Sequence, residues 1–235
     1  MTTPPAPSLP YGTPDAPRIA VRGEAHLEVD PEIGRIGVTV ASRGKDRRSA
    51  LDDLTRRNAT ALELVKSHGD AVERLETGAF SVRPELTKHG RGERVRTYHG
   101  TVHLTAELTD FTALGELASR LADLELTRVD GPWWDLRRDS PAYRRAREQA
   151  VREAVQRARE YAEALGTSLD ALVELADIGA EDGGPRPMAA GGRMRSMAFA
   201  AEAAEDSVAA LDLEPQRQHV YAEVIARFTM RPPRL

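Results

Sequence analysis

The chain has 235 residues, of which 40% are hydrophobic and 30% charged, and its formal net charge is -4. This composition provides enough apolar side chains for a packed core and excludes a wholly disordered chain. The small net charge excludes a strong field that would attract nucleic acid or an anionic membrane. The absence of cysteine excludes disulfides, thiolate catalysis and cysteine-based metal sites, and it fits either redox compartment.

Residues 1–17 contain prolines that interrupt every short apolar run. A secretory signal needs a basic start and an apolar stretch of about 7–15 residues, and a membrane-spanning helix needs about 20. The sequence offers neither pattern. We therefore predict a disordered, proline-rich leader, no membrane span and a cytoplasmic location.

Two strand patterns come next, in residues 18–27 and 33–41, where apolar and polar positions alternate. The segment Asp30-Pro31-Glu32 between them has the chemistry of a turn. The two strands are therefore predicted to form an antiparallel hairpin.

Residues 46–68 change to a helical period of about 3.6 residues. Asp46 or Ser49 is placed to cap the first turn, and Gly69 can end the helix in the left-handed conformation. The predicted buried stripe consists of Leu51, Leu54, Ala61, Leu62 and Val65.

Two further strands are predicted over residues 72–86 and 95–108, joined by a polar loop that contains glycine. His99 and His103 lie on one face of the second strand, about 13 Å apart at about 3.3 Å per residue. One zinc ion cannot bind both without a bend, because its bonds to nitrogen are about 2 Å long. We therefore favour a solvated sheet face over a metal site that also uses His219.

Residues 110–124 form a short helical pattern that Thr109 or Asp110 can cap, and residues 126–137 form a strand pattern. Side chains alternate along a strand, so Trp133 and Trp134 point to opposite faces. Trp134 is predicted in the core. An exposed Trp133 indicates an interface, since tryptophan is enriched where proteins meet.

The same stretch supports a second hypothesis, a carbohydrate site built from Asp130, Asp135 and Asp139 beside the tryptophans. Glycoside cleavage uses two carboxylates about 5–9.5 Å apart. We prefer structural roles, with Asp139 in a turn or cap.

The longest helix pattern runs from Pro141 to Leu165, with Ser140 as a cap and Gly166 as the stop. Its arginines alternate with glutamates at helical spacing, which favours a solvated face over nucleic-acid binding. Its predicted buried face is Ala146, Ala150, Val151, Ala154, Val155, Ala158, Ala162 and Leu165.

The C-terminal third contains strand patterns at residues 170–178 and 219–230, separated by a glycine-rich stretch, residues 180–217, that is predicted to be a flexible insertion. The full order is β-β-α-β-β-α-β-α-β-β. Short turns between neighbouring strands imply antiparallel pairing. We predict an α+β fold of mostly antiparallel sheet with three helices on one side, in a single domain over residues 18–235.

Several segments of the sequence together carry a resemblance to a known family. They are Gly23-Glu24 in the first strand, Asp30-Pro31, Arg57-Asn58-Ala59, Arg128-Val129-Asp130-Gly131 and the helix that ends in Ala164-Leu165-Gly166. In their order and spacing over about residues 18–230, these segments resemble the SIMPL-domain family. The family includes periplasmic immunogenic and oxidative-stress-defence proteins, and it has no agreed catalytic residues. The resemblance implies a stress-related role, and many members are exported.

The sequence lacks a Walker loop, a Rossmann fingerprint, a nucleophile elbow and a zinc-protease motif. We therefore predict no cofactor and favour a non-enzymatic, homo-oligomeric binding or assembly protein. The alternatives are a hydrolase-type enzyme with a diffuse polar site and a weak RNA binder. Methionines beside arginines in the insertion suit contact with a protein partner. The predicted interface residues are Trp133, Arg193, Met194, Met197 and Phe199.

Overall fold

A computed structural model of the chain describes residues 12–86, 95–177 and 211–234. Within these ranges the order of helices and strands is the predicted one, and the predicted α+β class is confirmed. The elements are β1 Arg18–Val29, β2 Ile33–Gly44, α1 Arg47–Lys66, β3 Val72–Leu86, β4 Val95–Leu108, α2 Phe111–Ala122, β5 Thr127–Asp135, α3 Pro141–Ala164, β6 Leu169–Asp177 and β7 Gln218–Met230.

The described residues divide into two compact units. The α3 unit contains β1, α3, β6 and β7, whose strands form a sheet in the order β1-β7-β6. The α1–α2 unit contains β2 to β5 with α1 and α2, and its sheet order is β3-β4-β2-β5.

The core of the α1–α2 unit lies between its sheet and its two helices. β2 pairs antiparallel with β4 on one side and with β5 on the other, so both of its edges are occupied. Asp46 caps α1 through a capping box with Ser49, and Asp110 caps α2. The buried core residues are Ile36, Val38, Val40, Leu54, Ala61, Val65, Val102, Leu104, Ala106, Leu108, Leu114, Leu117 and Leu121.

The predicted hairpin of β1 and β2 is wrong, because the two strands belong to different sheets. The chain bends at Glu32, and the strands on either side of this segment do not pair. Eleven residue pairs join β2 to β4, from Gly34 to Gly44. This long pairing, with β5 on the other edge, leaves β2 no edge for β1.

The predicted stripe on α1 is wrong at Leu51, whose side chain is 43% exposed. Ala50 is buried in its place, because the helix starts in close contact with β2. The Ser42 hydroxyl donates to the Ala50 carbonyl at 2.7 Å. A Cβ on Gly44 would lie only 2.3 Å from the Ala50 nitrogen, so the contact requires glycine.

The core of the α3 unit is built on alanine. Every fourth residue of α3 is a buried alanine, from Ala142 to Ala162, which confirms the alanines of the predicted face. The prediction is wrong at Leu165, which is 38% exposed because it lies at the C-terminal cap, beyond the last helical turn. Ser140 caps the helix and Gly166 (φ +66°) follows it, as predicted. The core of this unit consists of Val21, Ala25, Ala150, Ala154, Ala158, Val224, Ala226 and Phe228.

Candidate interface and polar sheet faces

Trp133 lies on β5, at the edge of its sheet, and its side chain is 52% exposed. It stands opposite Arg35 on β2. Its ring covers Gly37, where an added Cβ would lie 3.4 Å from the indole. One face of the indole is thus held against β2 while the other meets solvent, which is how tryptophan anchors at interfaces are presented.

Trp134 points to the opposite face of β5, as the alternation predicts. Its ring lies 4.7 Å from that of Phe111 in an edge-to-face arrangement and contacts the position of Gly34. Trp134 packs against the hydrophobic core of the α1–α2 unit, so the two neighbouring tryptophans have separate roles.

The strand β6 presents an apolar edge that the sequence did not indicate. It is the last strand in its sheet. Leu172, Val173 and Leu175 are 55%, 45% and 46% exposed. A short segment that is apolar on both faces is typical of a buried central strand. The sequence pattern therefore did not predict that β6 is exposed.

A cleft of about 430 Å³ lies between α3 and the start of β6. Its apolar wall is formed by Val155, Leu172 and Phe228, and its rim carries Glu163 and Asp170. The cleft therefore extends the exposed apolar surface of β6 inward, and Arg159 also lines it beside the two acidic side chains.

The outer face of the α1–α2 sheet is a paired polar surface. The Thr39 hydroxyl and His103 Nδ1 are 2.9 Å apart. Arg35 donates to Glu107 at 2.9 Å. The Nε2 atom of His99 lies 2.7 Å from the Oε2 atom of Glu85. This contact and a hydrogen bond from the Thr97 hydroxyl lower the pKa of Glu85 from its ordinary value of 4.5.

The three histidines considered for a metal site each have a different contact. His99 and His103 have different partners, and His219 belongs to the α3 unit, where it lies 3.8 Å from Glu28. Across residues 12–86, 95–177 and 211–234, no group of three or more His, Cys, Asp or Glu side chains could hold a metal ion.

The three carboxylates of the carbohydrate hypothesis are also used separately. Asp130 accepts two hydrogen bonds from Arg128, at 2.9 and 2.6 Å. Asp135 accepts from the Leu136 backbone amide at 2.8 Å. Asp139 is an exposed residue in the turn before Ser140. Asp130 and Asp135 therefore have structural partners, and Asp139 lies in a turn, as predicted.

A second charged cluster lies on β1 and β7 of the α3 unit, where no site was predicted from the sequence. The Tyr221 hydroxyl donates to Glu223 at 2.6 Å, and this bond raises the pKa of Tyr221 to about 12. Arg22 pairs with Glu223 at 3.0 Å and with Glu24. The ring of Tyr221 lies 4.7 Å from that of His26. The sequence pattern that could have indicated this cluster is the alternation of polar positions on β1 and β7.

Comparison with known proteins identifies the family. The model of the family SIMPL, a protein of unknown function (DUF541), matches residues 19–228. The chain belongs to the SIMPL family. The family resemblance predicted from the sequence is therefore confirmed, and the family assignment itself carries no biochemical activity.

Two curated relatives of this SIMPL protein are the 26 kDa periplasmic immunogenic proteins of Brucella melitensis and Brucella abortus. Each is 27% identical to this chain over 192 residues, which cover 78% of this chain and 75% of the Brucella protein. Their names place those two proteins in the periplasm. In the described part of this SIMPL chain, every helix is too short or too polar to cross a membrane.

The other predicted interface residues of this SIMPL protein lie outside the described residues. They are Arg193, Met194, Met197 and Phe199.

Proposed function

We propose that the protein is a non-enzymatic homo-oligomer in which β6 forms the main contact between copies and Trp133 forms a second one. The observation that carries this proposal is the apolar edge of β6, with Leu172, Val173 and Leu175 about half exposed. An edge strand with apolar side chains is a template for pairing with another chain. Burial of this strip between copies removes apolar surface from water.

The acidic residues of β6 favour a basic partner. Asp170 and Asp177 lie near its two ends, so two β6 strands placed side by side would bring like charges together, which is unfavourable. The segment 193–199 of the same sequence is basic and apolar. In the proposed assembly, this segment of one copy contacts β6 of another.

Light scattering of the full chain after size-exclusion chromatography tests this proposal. The chain has a mass of 25.7 kDa, and we expect a multiple of that mass at micromolar concentration. The double variant L172K/L175K should elute as the monomer, because two buried charges would oppose the contact. W133S should weaken the assembly and lower the average mass.

The matched control is Y161K. Tyr161 is 53% exposed, as much as Leu172, but it lies on α3 and not on an edge strand. This variant should keep the mass of the unmodified chain. If Y161K and L172K/L175K dissociate alike, the assembly does not depend on β6.

Charge reversal tests the partner of β6. R193E/R195E should dissociate the assembly, because acidic side chains would then approach a strand that carries an aspartate near each end. Combining it with D170K/D177K should restore the mass. If the quadruple variant stays monomeric although circular dichroism shows that it is folded, segment 193–199 is not the partner of β6.

Two further parts of the proposal concern the cell. The stress-related role is supported by the family resemblance alone, and survival of a deletion strain under peroxide tests it. The cytoplasmic location predicted from the sequence stands against the periplasmic names of the two Brucella proteins. Fractionation of cells that express the natural chain decides between the two compartments.

A further inference from the structure

A small cavity of about 240 Å³ lies in the α1–α2 unit, between α1 and the strands β3 and β4. None of its described lining side chains is charged. The lining consists of Leu51, Leu54, Thr55 and Asn58 from α1, Thr77 and Phe80 from β3, and Val102 from β4.

The cavity arises where β3 departs from regular pairing. Thr77 pairs with Leu104 and Phe80 with Val102, and the register shifts between these two pairs. Phe80 faces the helix side of the sheet like its partner Val102, yet Phe80 is 68% exposed. Phe80 and the exposed Leu51 thus border the mouth, and Val102, 4% exposed, belongs to the floor.

Asn58 adds a buried amide to this cavity, besides the hydroxyl groups of Thr55 and Thr77. Its Oδ1 has less than 1 Å² of accessible surface, and no described residue donates a hydrogen bond to it. Buried polar atoms in folded proteins nearly always have a partner, so an unpartnered one calls for an explanation. The terminal torsion of asparagine is soft, so the amide can turn toward a group that enters the cavity.

We propose that this cavity binds a neutral, one-ring compound whose hydroxyl group hydrogen-bonds to Asn58. The volume is below the range of about 300–1,000 Å³ that is typical for drug-sized ligands, which limits the ligand to about one ring. The uncharged lining selects a neutral compound, and Phe80 offers an aromatic contact. A hydroxyl both donates and accepts, so it fits either end of the amide.

This inference is independent of the proposed self-assembly. It concerns the α1–α2 unit and none of the residues assigned to the contact between copies. The test below can therefore fail while the assembly stands, and the reverse also holds.

Titration of the ¹⁵N-labelled full chain with phenol and with toluene, followed by NMR, tests the proposal. The two compounds have the same number of heavy atoms and differ by a hydroxyl or a methyl group. We expect phenol to shift the backbone amides of Leu51, Thr55, Thr77 and Phe80. The side-chain amide of Asn58, the only asparagine in the sequence, should shift as well. Phenol should bind about five to ten times more tightly than toluene, which is the effect of one hydrogen bond.

Two variants separate the hydrogen bond from the shape of the cavity. N58L should bind toluene and lose the preference for phenol. T55V is the matched control: it also lines the cavity, but its hydroxyl donates to the Leu51 carbonyl at 3.0 Å, so the preference should remain. The T55V measurement and the unmodified chain keep the test valid if N58L fails to fold.

Three results would overturn the proposal. The first is that neither compound shifts the amides around the cavity, and the second is that N58L keeps the preference for phenol. The third is that these amides shift with protein concentration alone, which would make a second copy the occupant.

Discussion

Gly23 determines how closely α3 approaches β1. A Cβ at this position would lie 2.1 Å from the Ala150 carbonyl oxygen and 2.6 Å from the Ala154 nitrogen, closer than any real contact. Both neighbouring atoms belong to the helix backbone, so the helix would have to move away. The alanine stripe of α3 and this glycine therefore form one packing arrangement.

We expect G23A to lower the free energy of unfolding by about 3 kcal/mol, because the helix must shift and its alanines lose contact. Urea denaturation followed by circular dichroism measures the change. The control is G78A, where the nearest atom to an added Cβ is the His103 carbonyl oxygen at 3.6 Å. Its effect should stay within about 0.5 kcal/mol, and equal losses in both variants would contradict the packing account.

We expect the native Asn58 to lower the free energy of unfolding, because its buried side-chain carbonyl has no described hydrogen-bond donor. N58L should raise the free energy of unfolding by about 1 kcal/mol, since an unpartnered buried carbonyl is replaced by an apolar group of similar size. T55V serves as the control on the same helix and should change stability less. A loss of stability in N58L would mean that the amide has a structural role.

At the scale of elements, charged side chains link α1 to the turn between α2 and β5. Asp53 accepts from Arg57 at 2.8 Å, and Arg57 also donates to Glu125 at 3.0 Å. The hydrogen bond from Arg57, with a second from Arg56, lowers the pKa of Asp53 from its ordinary value of 3.8. The side chains of Asp53 and Arg57 are only 20% and 16% exposed, which limits screening by solvent.

This lowered pKa gives a pH-dependent prediction. The ionised Asp53 stabilises the fold above about pH 3.8, and this contribution is lost as the pH falls through the lower folded pKa. D53N should therefore reduce the free energy of unfolding by about 1 kcal/mol at pH 7, with a difference that shrinks as the pH falls below about 3.8. The control is D52N, for which the structure describes no ion pair. A difference for D53N that stays constant as the pH falls through the acid range would contradict the assignment.

The sequence predicted the elements themselves well, for physical reasons that can be named. Each strand and helix carries its own period, and Asp46, Asp110 and Ser140 mark the helix starts through local hydrogen bonds. The partner of a strand is not encoded in that period. This is why the predicted β1–β2 hairpin failed, and why the exposure of Leu172 on an edge strand was not predicted. The Asn58 cavity was missed for a similar reason, because it depends on a register shift in β3.

At the scale of the whole molecule, the single domain over residues 18–235 is still a proposal. The described core of the α3 unit consists largely of alanine and valine, and a small core of this kind gives little stability alone. We expect one transition in scanning calorimetry, with equal calorimetric and van't Hoff enthalpies. Two separated transitions would show that the two units unfold as separate domains.

Self-association is the central claim, and sedimentation velocity of the unmodified full chain tests it most directly. Measured from about 1 to 100 μM, the chain is expected to sediment as a species of several times 25.7 kDa, with its share rising with concentration. A single 25.7 kDa species over the whole range would contradict the claim.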